Sequence, residues 1–465
     1  MSVSAFATLC DVIASDRLVW MTGAGISQNV VRESDGGEVP GWKGLLTEVL
    51  KAREAAIGIA PELGTNLQAL LAGKPPGRQL IEAATLLERD WDDFDTAIRN
   101  AVRPADKQPK EVEASQKAIH DALLNVQPRG IVTLNYDDLH ERALTRREEL
   151  PSWTQLVPGE TSSDAQMAEL LRDGLRSPFL LKAHGSIARR GPLVLSYETY
   201  RTLLGKDPAY RAFVQYLLTH HSLVIVGFGL SDPDFDLFFD TTAVQFGSPL
   251  QTHVLITRGP NSPRGGVAAA RGREAMLRLR YGIVTHHVSN WSEIPSEINR
   301  AARTAGPALN RTLRSCVSRD INVRRRGHTA LRSLGPAGTA VAIKVLSARI
   351  ARTRETHHLS ELVYSLGTVT PPTPALRTKI KETLLGLIEI SQDREVVAHA
   401  IDRLDGFVKF DDLDRLERCR HQLMSRPLPI DPNHPDDDDR LPVYLDRLIL
   451  RVRAEARTFP PRPGP

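Results

Sequence analysis

Cysteine is scarce in this 465-residue sequence: Cys10, Cys316 and Cys419 are the only three, and none stands close enough to another for a C-x2-C metal knuckle or a disulfide framework. A structural zinc site and a disulfide-stapled secreted fold are thereby excluded, and a reducing cytoplasm is the expected setting. Long apolar runs are missing too. No stretch reaches the ~18 uninterrupted apolar residues that cross a bilayer, and the N-terminus has no basic-then-apolar signal pattern, so a soluble chain with no membrane contact is expected. A strong overall charge is also lacking. The net charge of +4 gives no global argument for a nucleic-acid binder. The imbalance is local: from Arg258 to Arg332 there are fifteen arginines and no lysine against four acids, Glu274, Glu293, Glu297 and Asp320, with Arg324, Arg325 and Arg326 the densest point. Such a segment is either a solvated face or subunit contact, or a surface for nucleic acid or an acidic partner.

What is present fits an ordinary folded protein, with 41% hydrophobic and 25% charged residues. The length suggests about two to three domains. The stretch Val19-Trp20-Met21-Thr22-Gly23-Ala24-Gly25-Ile26-Ser27 reads as a strand running into a glycine turn. Glycines at 23 and 25 would let backbone N–H groups approach an anion without a Cβ in the way. A polar, glycine-containing loop follows over 33–42 and is expected to be mobile enough to close over a ligand. Helical patterning from about 45 to 125 predicts a helical insertion.

Strands then alternate with helices. Ile131–Leu134 ends in Asn135-Tyr136-Asp137, Phe179–Ala183 ends in His184-Gly185, and Leu223–Val226 ends in Gly227-Phe228-Gly229-Leu230-Ser231-Asp232. His253–Ile256 and Ile283–Thr285 complete the set. Near-continuous apolar strands separated by helices predict a Rossmann-like parallel α/β sheet, which binds ligands beyond the carboxyl ends of its strands. Past about residue 306 strand patterns stop, and leucine-rich helical spacing recurs at intervals of the size of paired-helix repeats. The expected organisation is an α/β domain over 1–305, an all-α, HEAT-like domain over 306–430, and an acidic and proline-rich tail over 431–465 with a last helix.

Each polar cluster has two readings. Asn135 and Asp137 are either a helix cap and its neighbour or site residues; His184 is either a core histidine or a base; Trp42 is either a packing anchor or a lid. Taken together, the turn Gly23-Ala24-Gly25-Ile26-Ser27, the segment Thr133-Leu134-Asn135-Tyr136-Asp137, the pair His184-Gly185 and the segment Gly227–Asp232 resemble the NAD site of the sirtuin family over about residues 15 to 290. Two features depart from protein-deacylating sirtuins. The four-cysteine zinc module and the Pro-Asp-Phe-Arg continuation of the first motif are both missing, so the acyl-lysine groove is in doubt.

What remains resembles the sirtuin-like effectors of bacterial anti-phage defence, which hydrolyse NAD. The resemblance implies that Gly23, Ala24, Gly25 and Ser27 cradle the pyrophosphate, with Gly227, Gly229, Ser231 and Asp232 toward the adenosine ribose. It also implies that Asn135, Asp137 and His184 carry the chemistry, with NAD as substrate and no metal. Assembly as a homo-oligomer is implied, or with a partner ATPase, an Argonaute or a phage-derived trigger. Two other functions stay open: a module that senses NAD or ADP-ribose, and a protein deacylase or ADP-ribosyltransferase.

Overall fold

In the computed structural model, residues 4–458 are described apart from 74, 148–149, 190, 229–238, 241–248, 260–265, 426–427 and 429–439. The chain forms two compact units, Met1–Ala301 and Ala302–Pro465. The first is built on a parallel sheet of seven strands: β1 (Leu18–Thr22), β2 (Gly130–Thr133), β3 (Thr154–Leu156), β4 (Phe179–Lys182), β5 (Ser222–Val226), β6 (His253–Arg258) and β7 (Ile283–Val288). Their order is β3-β4-β2-β1-β5-β6-β7. From β1 the chain builds outward on one side and then returns to the other, so β1 and β5 flank the point where the strand order reverses. Ligands settle at such a point in this architecture. β1, β4 and β5 are buried along their whole length, as strands covered by helices on both faces must be.

β3 has no counterpart among the predicted strands. Its three residues, Thr-Gln-Leu, sit at the sheet edge, and only Leu156 is fully buried, so no apolar run announces it. Between β1 and β2 stand five helices, Trp42–Ile57, Pro61–Leu70, Gly77–Glu88, Phe94–Val102 and Lys110–Asn125. The first four share a core around Leu46, Leu67, Leu87, Phe94 and Ile98. The fifth is tied to the sheet by the indole of Trp20, which donates to the Leu123 carbonyl at 2.9 Å. The segment before the first of these helices, expected to be a mobile loop, is anchored at its ends while 33–36 are exposed. Val31 bridges Glu38, Arg32 bridges Pro104, and the Gln108 side chain both accepts from Val31 N at 2.8 Å and donates to Val31 O at 2.7 Å.

The second unit is helical. Its helices pair in chain order: Pro307–Ser315 with Ile321–Arg332, Pro336–Ile350 with Thr356–Thr368, Pro374–Ile390 with Arg394–Leu404, and Leu413–Ser425 with Arg440–Thr458. First helices of successive pairs touch each other, as do second helices. The expected tail is therefore partly regular, since its 440–458 portion is a helix whose Leu445, Ile449 and Val452 enter the core. Among the described residues no helix is long and apolar enough to cross a membrane.

Candidate active site

The carboxyl ends of β4, β2, β1 and β5, adjacent in the sheet, open into one cleft of about 630 Å³, its open mouth included. Gly23, Ala24, Ser27, Asn135, Asp137 and His184 all line it, together with Trp42, Tyr136 and Phe228. The sheet register puts these residues together: Thr22 pairs with Thr133 and with Val226, and Thr133 pairs with Lys182. All four chain segments therefore leave the sheet at one level.

The floor of the cleft is a directed chain of hydrogen bonds. Asn135 Nδ2 donates to the Gly23 carbonyl at 3.1 Å and to Ser27 Oγ at 2.9 Å. Ser27 Oγ then donates to Asp137 Oδ2 at 2.7 Å. Both amide hydrogens of Asn135 are thereby spent, and its Oδ1 is left as the acceptor for whatever enters. Asp137 is 4% exposed, and its Oδ1 accepts from the Leu139 backbone at 3.2 Å at the start of the helix Leu139–Thr145. Asp137 thus holds a backbone N–H at the start of that helix, whose N-cap is Asp138, and also borders the cleft.

His184 is 7% exposed and wedged between Tyr136 and Tyr200, with ring centroids at 6.3 Å and 5.4 Å. Burial lowers its pKa to about 3. The imidazole is therefore neutral at physiological pH, the form that can accept a proton. The backbone beside it demands glycine: Gly185 has φ +92°, and a Cβ there would lie 2.6 Å from the Pro192 carbonyl. The loop that follows is clamped by Arg99, whose guanidinium donates to the carbonyls of Ser186, Arg189 and Gly191.

The glycines behave differently from the expectation of an anion cradle. Gly23 N donates to Val226 O at 3.0 Å and Gly25 N to Gly227 O at 2.9 Å, so these two N–H groups are consumed inside the protein. Gly25 and Gly227 instead let the β1 and β5 turns touch. A Cβ on Gly25 would sit 2.8 Å from Gly227 Cα, and Gly227 itself has φ +81°. Gly23 and Ala24 still border the cleft. Gly229, Ser231 and Asp232 lie outside the described residues.

One buried residue outside the expected set lies beneath the cleft. Lys182, the last residue of β4, is 1% exposed, and its Nζ donates to the backbone carbonyl of Asp137 while pairing with Glu141 Oε1 at 3.3 Å. Burial raises the Glu141 pKa, and Lys182 opposes that rise. A cation is thus held beneath the loop that carries Asn135 and Asp137. A lysine closing an otherwise apolar strand was the available signal. Trp42 packs against both the sheet core and the insertion core while lining the cleft. Among the described residues no three His, Cys, Asp or Glu side chains are grouped so as to hold a metal.

Residues 129–279 match the SIR2-like domain family. Defense-associated sirtuin 2 of Bacillus subtilis is 25% identical over 134 residues, which is 28% of this chain, and the match spans 12% of that protein's length. The family match begins just before β2 and takes in Asn135, Asp137, Lys182, His184 and Gly227, while the glycine turn at Gly23 precedes it and reaches the same cleft through the sheet. Residues 129–279, which include the strands β2, β4 and β5 that open the cleft at the strand-order reversal, are thus similar to a SIR2-like domain.

Proposed function

We propose that the protein is an NAD glycohydrolase that cleaves the nicotinamide–ribose bond to nicotinamide and ADP-ribose, acting as a regulated effector of anti-phage defence. SIR2-like domains use NAD, and the name of the Bacillus relative supplies the defence context. The observation that carries the reading is the directed chain from Asn135 through Ser27 to Asp137 in the same cleft as neutral His184.

The chemistry suits those groups. Nicotinamide leaves neutral from a cationic nucleotide, so no strong acid is needed at the leaving group, and positive charge develops on the ribose as in other glycosidic cleavages. Asn135 Oδ1 accepts a hydrogen bond from the attacking water or a ribose hydroxyl, its orientation fixed by Ser27 and Gly23. The Asp137 carboxylate stabilises the developing positive charge. Water adds to the anomeric carbon and loses one proton, which His184 relays to solvent rather than keeps. NAD and water thus give nicotinamide, ADP-ribose and one proton. The paired stacking of the second unit supports a HEAT-like array serving oligomerisation, or docking of a partner ATPase, an Argonaute or a phage-derived trigger.

The test is nicotinamide release from NAD by the full-length protein and by His184→Ala, with and without infected-cell lysate. Release together with ADP-ribose, lost in the variant, is the expected result. NAD binding without release under every condition would leave a nucleotide-sensing module in its place.

A further inference from the structure

The arginine-rich segment of the sequence runs across the division between the two units. Its first part, through Arg300, belongs to the α/β unit, where Arg280 pairs with Asp240 at 2.8 Å and Arg300 with Glu297 at 2.6 Å. Its second part opens the helical unit and runs on past Arg332. Between residues 307 and 354 there are eleven lysines and arginines, ten of them arginine, against a single acid, Asp320. From 355 to 465 the balance reverses, with sixteen cations against nineteen acids. The basic set is therefore confined to the first helix pair and the helix after it, at one end of the stack.

These cations are mostly not used by the fold. Asp320 spends its Oδ1 capping the helix Ile321–Arg332, accepting from Asn322 N at 2.8 Å and Val323 N at 3.2 Å. Arg324 is structural, paired with Glu361 at 2.7 Å, and Arg319 reaches Glu355 at 3.4 Å. Arg311, Arg314, Arg325, Arg326 and Arg332 are exposed and have no carboxylate partner among the described residues. The two helices that carry them are closely packed, since a Cβ on Gly327 would lie 2.7 Å from Cys316 N. Crowding like charges on packed helices costs stability unless a counter-charge is supplied.

We propose that this end of the helical unit binds the phosphate backbone of a nucleic acid. A set of unpaired arginines suits that partner better than a generic acidic protein, because the guanidinium fork meets phosphate oxygens two at a time and stacks on bases. The helix Ile321–Arg332 is about 18 Å long at 1.5 Å per residue, which along a duplex axis spans some five phosphates of one strand at ~3.4 Å of rise each. The proposal does not depend on NAD hydrolysis and is tested without it.

Fluorescence polarisation of the full-length protein with labelled single-stranded DNA, single-stranded RNA and duplex DNA, each ~40 nucleotides or base pairs long, over a salt series reads both affinity and the number of phosphates neutralised. The expected result is binding whose log affinity falls with log salt with a slope of about −3 to −5. Arg325→Glu/Arg326→Glu should weaken it at least ~10-fold and flatten the slope by about 2. Arg271→Glu/Arg278→Glu, the same charge change in the α/β unit, should leave both nearly unchanged. No binding at low salt, or an equal loss in both double variants, would overturn the assignment. So would a change in mass by light scattering in Arg325→Glu/Arg326→Glu with no nucleic-acid binding in the parent, an outcome that would make the face a contact with an acidic protein surface, a second copy included.

Discussion

The two units bury different things. The α/β unit carries Thr22, Asn135, Asp137, His140, Lys182 and His184 at 7% exposure or less, all in or just after the central strands. The helical unit encloses an aliphatic core of Leu, Ile and Val and keeps nearly all of its charge outside. Polar groups are costly to bury unless each finds a partner. A region that collects them at strand ends is held for chemistry, whereas a region that keeps them at the surface is held for contact. Changes at the sheet should therefore act on turnover, and changes in the helices should act on stability or on binding.

The sharpest way to break that division is Asn135→Ala. Losing the oriented Oδ1 should lower kcat by about 10²–10⁴-fold. Ser27 Oγ and the Gly23 carbonyl lose a donor, which costs the fold only about 1–3 kcal/mol, so the variant should still show the parent's circular dichroism. A folded variant with unimpaired turnover would remove Asn135 from the mechanism.

Next comes Lys182→Met. It leaves Glu141 buried without its cation, at a cost of about 3–5 kcal/mol, and frees the Asp137 carbonyl. Thermal unfolding should move down by several degrees and kcat should fall with it. Adding Glu141→Gln should restore much of the melting temperature, because no uncompensated charge remains, but not kcat, because the loop is still unheld. Recovery of both together would make the lysine a purely structural cation.

A smaller contrast comes from acid. Burial holds His184 and His253 near pKa 3 and His221 near 4, and it lowers His120 and His140 as well. In the helical unit the lowered histidine is His328, at about 4. The unfolded chain takes up protons at these side chains below about pH 6.5, whereas the folded one holds His184 and His253 neutral to about 3 and His221 and His328 to about 4. The stability they contribute is thus complete above pH 6.5 and lost as pH falls toward 3. With more such groups, the α/β unit should open first. All five tryptophans, Trp20, Trp42, Trp91, Trp153 and Trp291, lie in it, so indole fluorescence should complete its change at a higher pH than helical circular dichroism, to which the helices of both units contribute. Coincident transitions would mean the two units unfold as one. Turnover of the folded enzyme should also stay flat from pH 7 to 5, since a base of pKa near 3 does not titrate there.

Much of the sheet was legible because a strand buried on both faces must be apolar throughout. Val19–Met21, Ile131–Leu134 and Leu223–Val226 therefore announce themselves. β3 was not legible, because an edge strand of three residues needs no such run. Asn135, Asp137 and His184 were legible as polar residues placed where each strand ends. The roles of Gly25 and Gly227 were not, since sequence order does not show that the turns after β1 and β5 face each other at the point where strand order reverses. Lys182 and Glu141 stand 41 residues apart, and only the pairing of β2 with β4 brings them together.

The smallest expected effect on turnover is that of Gly327→Ala. The new methyl group would press on the backbone of Cys316 at 2.7 Å, an atom that cannot swing aside as a side chain would. Overpacking of this kind costs about 1–3 kcal/mol, and it falls on the first helix pair. The helical signal should melt earlier while basal hydrolysis of NAD, read at a temperature where both units are folded, stays within about two-fold, since sites without shared partners usually act independently. Arg325 and Arg326 lie on the same helix, so the variant should also weaken nucleic-acid binding through displacement of that helix, although no charge has been removed. A loss of hydrolysis as large as that from Asn135→Ala would break the division, because packing inside the helices would then be setting the geometry of the cleft.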